Sequence, residues 1–150
     1  MALKKITRAA QWPLVAEFTA SFSDTATDAV TGAVKGFGTT IAENLILDAI
    51  ALPQGAVVCG GEVIVETQGV GPTAYTVKLG VAGDDACFLA ASDLLAAANT
   101  RYPLLLTKQL AANDGKDLRL TMASTVAAAT AGKFRIRVMY TIDGRADNLA

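Results

Sequence analysis

From Lys133 to Asp143, polar and apolar residues alternate without a break. Phe134, Ile136, Val138, Tyr140 and Ile142 fall on one side, and Lys133, Arg135, Arg137, Met139 and Thr141 on the other. Successive side chains of a strand point to opposite faces, so this run predicts a strand with one buried and one wet face. The same reading applies to AYTVKLGV, where Tyr75, Val77, Leu79 and Val81 share a side, and to DLRLTMAS, where Leu118, Leu120 and Met122 do. LVAEFTASF (Leu14 to Phe22) alternates more loosely, and NLILDAIAL (Asn44 to Leu52) is stopped by Pro53. AVVCGGEVIVET (Ala56 to Thr67) is β-rich, but Gly60-Gly61 interrupts it as a bulge or bend would.

Between these runs lie turn signals. SDTATDAVTGAVKGFGTT carries Gly32, Gly36 and Gly38 and reads as a loop or ragged edge. CFLA reads as a short strand, RYPLLLT as an edge strand because of its proline, and NDGK as a hairpin turn. SDLLAAAN begins with a capping serine followed by helix formers, which predicts one helical turn from Ser92. About eight short strands with almost no helix predict an all-β, single-domain antiparallel sandwich or barrel. The eight strands match a jelly roll, although strand number alone does not define topology. The expected organisation is an extended N-terminal arm (residues 1–13), then a sandwich domain (14–150) ending in a short tail (143–150).

Charge narrows the partners. Thirteen basic residues against 14 acidic ones give a net charge of −1. Nucleic-acid binders neutralise phosphates with a surplus of clustered Lys and Arg, so no nucleic-acid partner is expected. No run approaches the roughly 18 unbroken apolar residues of a membrane helix, and the N-terminus lacks the apolar core of a signal peptide. Yet 52% of the chain is apolar, much of it alanine in LAASDLLAAA and STVAAATAG. Either the core is alanine-rich, or apolar surface is covered by copies of the chain or by another protein.

Catalytic parts are scarce. The chain has no histidine, which removes the usual triads, the commonest general base and most zinc sites. Glu62 and Glu66 share a strand face, but four residues of strand separate their backbones by about 13 Å. Glycosidase pairs stand about 5 to 9.5 Å apart. Asp84-Asp85 are turn residues lacking the additional nearby oxygen ligands that a calcium site needs. Gly36-x-Gly38 lacks the third glycine of a dinucleotide loop. The two cysteines, Cys59 and Cys87, lack metal-ligand spacing and read as small buried hydrophobes. The expectation is therefore no enzyme, with no catalytic, cofactor-binding or metal residue. Aromatics make up only 6% of the chain, which is thin for a sugar-binding platform.

Candidate interface residues remain. Arg135 and Arg137, beside Lys133, form a cationic row that is either a solvated sheet face or a strip for an acidic protein surface. The arm offers Lys4, Lys5, Arg8 and Trp12, the single tryptophan. Trp12 either closes over the core beneath the first strand or anchors an interface, where tryptophan is enriched among hot spots. The tail offers Arg145 and Asp147.

Two stretches carry a family resemblance. AIALPQGAVVCGGEVIVET and FRIRVMYTIDGRADNLA resemble small head proteins of tailed bacteriophages, the capsid decoration or cement proteins. In that group a strand of the form lPaGAvv.gG.v.V.t precedes v.lG......fLaa.dl, here VKLGVAGDDACFLAASDL, and the chain ends near Y.IDGRA.E. The likeness covers Leu45 to Asn148, and Asn148 stands where a second acidic residue is the pattern. The resemblance implies a sandwich, often of jelly-roll type, that forms a homodimer or homotrimer. It would be made in the host bacterial cytoplasm and bind outside the lattice of the major capsid protein. The alternatives are a tail or baseplate component, and a carbohydrate-binding module displayed on the virion.

Overall fold

The computed structural model describes residues 12–39, 41–106 and 116–142, and every regular element among them is a strand. In chain order these are β1 (Leu14–Ser21), β2 (Thr25–Thr27), β3 (Val34–Gly36), β4 (Ile41–Ile50) and β5 (Ala56–Val70). β6 (Ala74–Val81), β7 (Asp84–Asp93), β8 (Arg101–Pro103), β9 (Leu118–Thr125) and β10 (Ala131–Ile142) follow. The expected antiparallel sandwich is the observed one. One sheet runs β1-β10-β5-β8, the other β4-β9-β6-β7, and β2 with β3 forms a separate hairpin.

The pairings nest. Setting the β2–β3 hairpin aside, the first strand pairs with the last, β4 with β9, β5 with β8 and β6 with β7, all antiparallel. A long two-stranded ribbon folded across itself has this connectivity. The β10–β5 and β6–β9 ladders then join its limbs into the two sheets.

The alternating runs supply the core. From β10, Phe134, Ile136 and Val138 face inward and are buried, and β5 adds Val63 and Val65. The opposite sheet meets them with Leu45, Tyr75, Val77, Leu79, Leu118, Leu120 and Met122. Each such side chain contributes about 1.5–3 kcal/mol by leaving water, so slipping β10 by one residue would expose its whole apolar row. The interruption in β5 is a bulge. Met139 pairs with Gly60 and Tyr140 with Val58, which leaves Cys59 as the extra residue. Gly61 follows at φ 144°, where a Cβ would run into the Arg137 carbonyl and the Leu104 side chain.

Several expectations need correction. The stretch from Ser92 is not helical: Ser92 and Asp93 end β7, and a turn follows. Leu94 N–H donates to the Tyr75 carbonyl and Leu94 O accepts from Gly69 N–H, so cross-strand bonds occupy the groups a helix would need. Asp93 Oδ1 also accepts from Leu95 N–H, the local bond of a turn. The CFLA strand is part of the longer β7, and the glycine-rich stretch after β1 holds the β2–β3 hairpin. Cys87 is buried as expected, but Cys59 is exposed at the bulge. The NDGK turn lies, for residues 113–115, outside the described residues.

Candidate functional surfaces

The outer face of the β1-β10-β5-β8 sheet is a lattice of opposite charges. Register places Glu17 of β1 opposite Arg137 of β10, and Arg137 opposite Glu62 of β5. Arg137 Nε donates to Glu17 Oε1 at 2.7 Å, its other side approaches Glu62 at 3.9 Å, and Arg101 from β8 bonds Glu62. One step along, Glu66 receives Lys133 at 2.9 Å and Arg135 at 2.5 Å. Those two cations hold the Glu66 carboxyl below its ordinary range, the Lys133 hydrogen bond contributing most. The cationic row read from β10 alone is thus largely neutralised by carboxylates on the two neighbouring strands. Glu62 and Glu66 are each taken up by cations, not paired with one another.

The structure does not gather all the other candidates into one site. Trp12 is 86% exposed beside β1, near the end where Leu14 pairs with Tyr140, whereas Arg135 pairs with Thr19 farther along. It does not close over the core. Lys4, Lys5, Arg8, Arg145 and Asp147 lie outside the described residues.

A polar centre that the sequence reading missed is Asp28, just past β2 and only 2% exposed. Its Oδ1 accepts from the backbone N–H of Val30 (3.0 Å) and Thr31 (2.8 Å) and from the Thr31 hydroxyl (3.0 Å). Its Oδ2 accepts from Ile46 N–H at 3.0 Å and from Lys35 Nζ at 3.1 Å. The Ile46 and Thr31 amides, more than Lys35, hold the carboxyl far below the usual carboxylate range against the opposing pull of burial. Because Ala29 N–H also donates to Ile46 O at 2.7 Å, the hairpin caps the free edge of β4. Capping of this kind hides a strand edge that could pair with another chain. Its sequence signal is weak, an Asp-x-x-Thr-Gly turn between two very short strands.

Between β1, β2 and β4 lies a groove of about 460 Å³, lined by Phe18, Ala20, Ala26, Phe37 and Leu47 with Asp24 among its polar groups. Asp24 Oδ2 accepts from Ser21 N–H at 2.7 Å, so this carboxylate already has a structural partner. Among the described residues no three Cys, Asp or Glu side chains gather as metal ligands would.

No protein-family model matches the chain, and no curated protein matches it by sequence. Solved structures do match in fold. A chain of the cyanophage Pam1 capsid asymmetric unit superposes with a TM-score of 0.63 at 19% identity, over 95% of this chain and 96% of that one. A chain of the acidic stable capsid structure of Helicobacter pylori bacteriophage KHP30 gives a TM-score of 0.54 at 19% identity, over 85% and 86%. The Pam1 likeness is therefore of whole chain to whole chain. It defines the class of fold, an antiparallel sandwich also present in those two phage capsids.

Proposed function

We propose that this protein is a structural component of a phage virion that binds the outside of the capsid and stabilises the lattice of the major capsid protein. The observation that carries the reading is the end-to-end likeness to a chain of similar length in the Pam1 capsid asymmetric unit. The decoration-protein motifs between Leu45 and Asn148 support it independently. We further read the sandwich as a jelly roll, because the nested pairing follows the order of a doubly folded ribbon. The protein acts as a homo-oligomer and performs no chemistry. A protein that binds only the assembled lattice shifts the equilibrium away from disassembly, and many copies around a shell make modest contacts hard to lose. The arm bearing Lys4, Lys5, Arg8 and Trp12 and the tail bearing Arg145 and Asp147 are the segments that reach neighbouring subunits.

The test is to add the purified full chain to particles lacking it, image them by electron microscopy and heat them. Density on the outer shell and a higher temperature of genome release are expected. Density confined to the tail, or decorated and bare particles of equal heat resistance, would overturn the assignment.

A further inference from the structure

One end of the sandwich differs in composition from the rest of the molecule. Residues 37–39, 67–75, 94–100 and 125–132 read FGT, TQGVGPTAY, LLAAANT and TVAAATAG, without a single Asp, Glu, Lys or Arg. Main-chain bonds tie these segments into one surface. Ala129 N–H donates to Gly38 O at 2.6 Å, Thr130 N–H to Val70 O at 2.9 Å, Thr73 N–H to Thr125 O at 3.1 Å and Gly69 N–H to Leu94 O at 2.8 Å. The Tyr75 hydroxyl donates to Phe37 O at 3.0 Å, and the Ser124 hydroxyl to Thr39 O at 2.7 Å. The surface is therefore held in shape before anything touches it, which lowers the entropy cost of docking.

Two apolar side chains stand out from it, Val126 at 81% exposed and Val70 at 52%. Val126 does so at φ 73°, a left-handed backbone conformation that crowds a β-branched side chain. So exposed a side chain recovers little of that strain by burial within its own chain. Asp24 and Asp93 flank these segments, each held by a backbone amide, from Ser21 at 2.7 Å and Leu95 at 2.8 Å.

We infer that this uncharged end is the surface through which copies of the chain contact one another, with Val126 and Val70 buried between them. The charge pattern selects the partner. Symmetric contact around an axis brings residues close to their own copies, where like charges would repel. The outer faces of both sheets carry charged side chains, including the Arg137 row on one and Arg119, Asp48 and Lys78 on the other. The four segments of this end carry none, with Asp24 and Asp93 only at their edges, so among the described residues identical copies meet over Val126 and Val70 without repulsion and without stripping water from ions. A strongly acidic or basic partner would find no opposite charge to meet.

This inference rests on the self-associating part of the proposed function and names the surface used. The test measures the mass of the full chain in solution at micromolar concentrations by sedimentation. The variants are Val126→Asp, Val126→Gly and Val34→Asp, the last altering a 71% exposed valine on the hairpin instead. Association should weaken about tenfold or more in Val126→Asp, in line with loss of a central interface residue. Val126→Gly relieves the strain and should melt no lower than the wild type while still associating more weakly. Val34→Asp should leave association intact. A wild-type monomer overturns both self-association and this surface, while leaving particle binding to be judged separately. A wild-type oligomer unchanged by Val126→Gly, or broken equally by Val34→Asp, overturns the surface alone. A Val126 variant that stays oligomeric but no longer decorates particles assigns this end to the capsid lattice and also overturns the inference.

Discussion

Two sets of charges in this molecule have opposite relations to water. On the β1-β10-β5-β8 face, Glu17, Arg137, Glu62 and Arg101 form a row across four strands, each side chain still partly wet. At the hairpin, Asp28 is sealed from solvent and bonded by Val30, Thr31, Lys35 and Ile46. The row is redundant, because an arginine that loses one carboxylate turns to another or to water. The cradle is not, because five donors converge on one buried side chain. Burial, more than the number of ion pairs, decides which charge the fold depends on.

The sharpest way to break that comparison is Asp28→Ala. It leaves the amides of Val30, Thr31 and Ile46 without their acceptor and Lys35 with only the Asn44 carbonyl, and should cost about 3 kcal/mol in chemical denaturation. A loss no larger than that of a surface variant would end the distinction. The pH dependence sharpens it further. A carboxyl depressed in the folded state contributes stability that is present above its unfolded pKa of about 3.9 and is lost as pH falls toward the folded value. Wild-type melting temperature should therefore drop below about pH 4. Asp28→Asn, already weaker at neutral pH, should fall less over the same range, and Glu66 adds to the wild-type loss with the same sign.

Neutral buried polar groups fall between the two extremes. Tyr75 is 1% exposed, burial pushes its pKa up to about 12, and its hydroxyl donates to the Phe37 carbonyl. Tyr75→Phe leaves that acceptor unpaired and should cost about 1 kcal/mol in the same denaturation assay. Thr121, 3% exposed, has a buried hydroxyl without a hydrogen-bond partner. Thr121→Val removes that unpaired group at nearly constant shape and should raise stability by up to about 1 kcal/mol, read as a higher denaturation midpoint.

The smallest effect is expected on the sheet face. A double-mutant cycle of Glu17→Ala and Arg137→Ala should give a coupling of about 0.2–1 kcal/mol that fades with added salt. A coupling as large as the Asp28 effect would mean that the row is a cooperative network, not a solvated face.

Much of the fold could be read along the chain because its strands are amphipathic. β6, β9 and β10 alternate so regularly that their inward faces follow from period two alone, and Pro53 and Gly60-Gly61 mark real interruptions. The helix formers after Ser92 are local signals that predict a helical turn, and backbone bonds to Tyr75 and Gly69 overrule them. Asp28 was illegible for a related reason. One of its principal partners, Ile46, lies 18 residues away on another element, and β2 and β3 are too short for a pattern to emerge.

By itself, then, the sequence determined the positions of the long strands, the buried face of each and the absence of histidine chemistry, since these depend on residue type and local spacing. Tertiary structure decided which charges meet across strands, and so neutralised a row that looks cationic along β10. It also placed uncharged loops from distant parts of the chain on one surface. Both outcomes depend on pairing between strands far apart in sequence, which short-range periodicity does not encode.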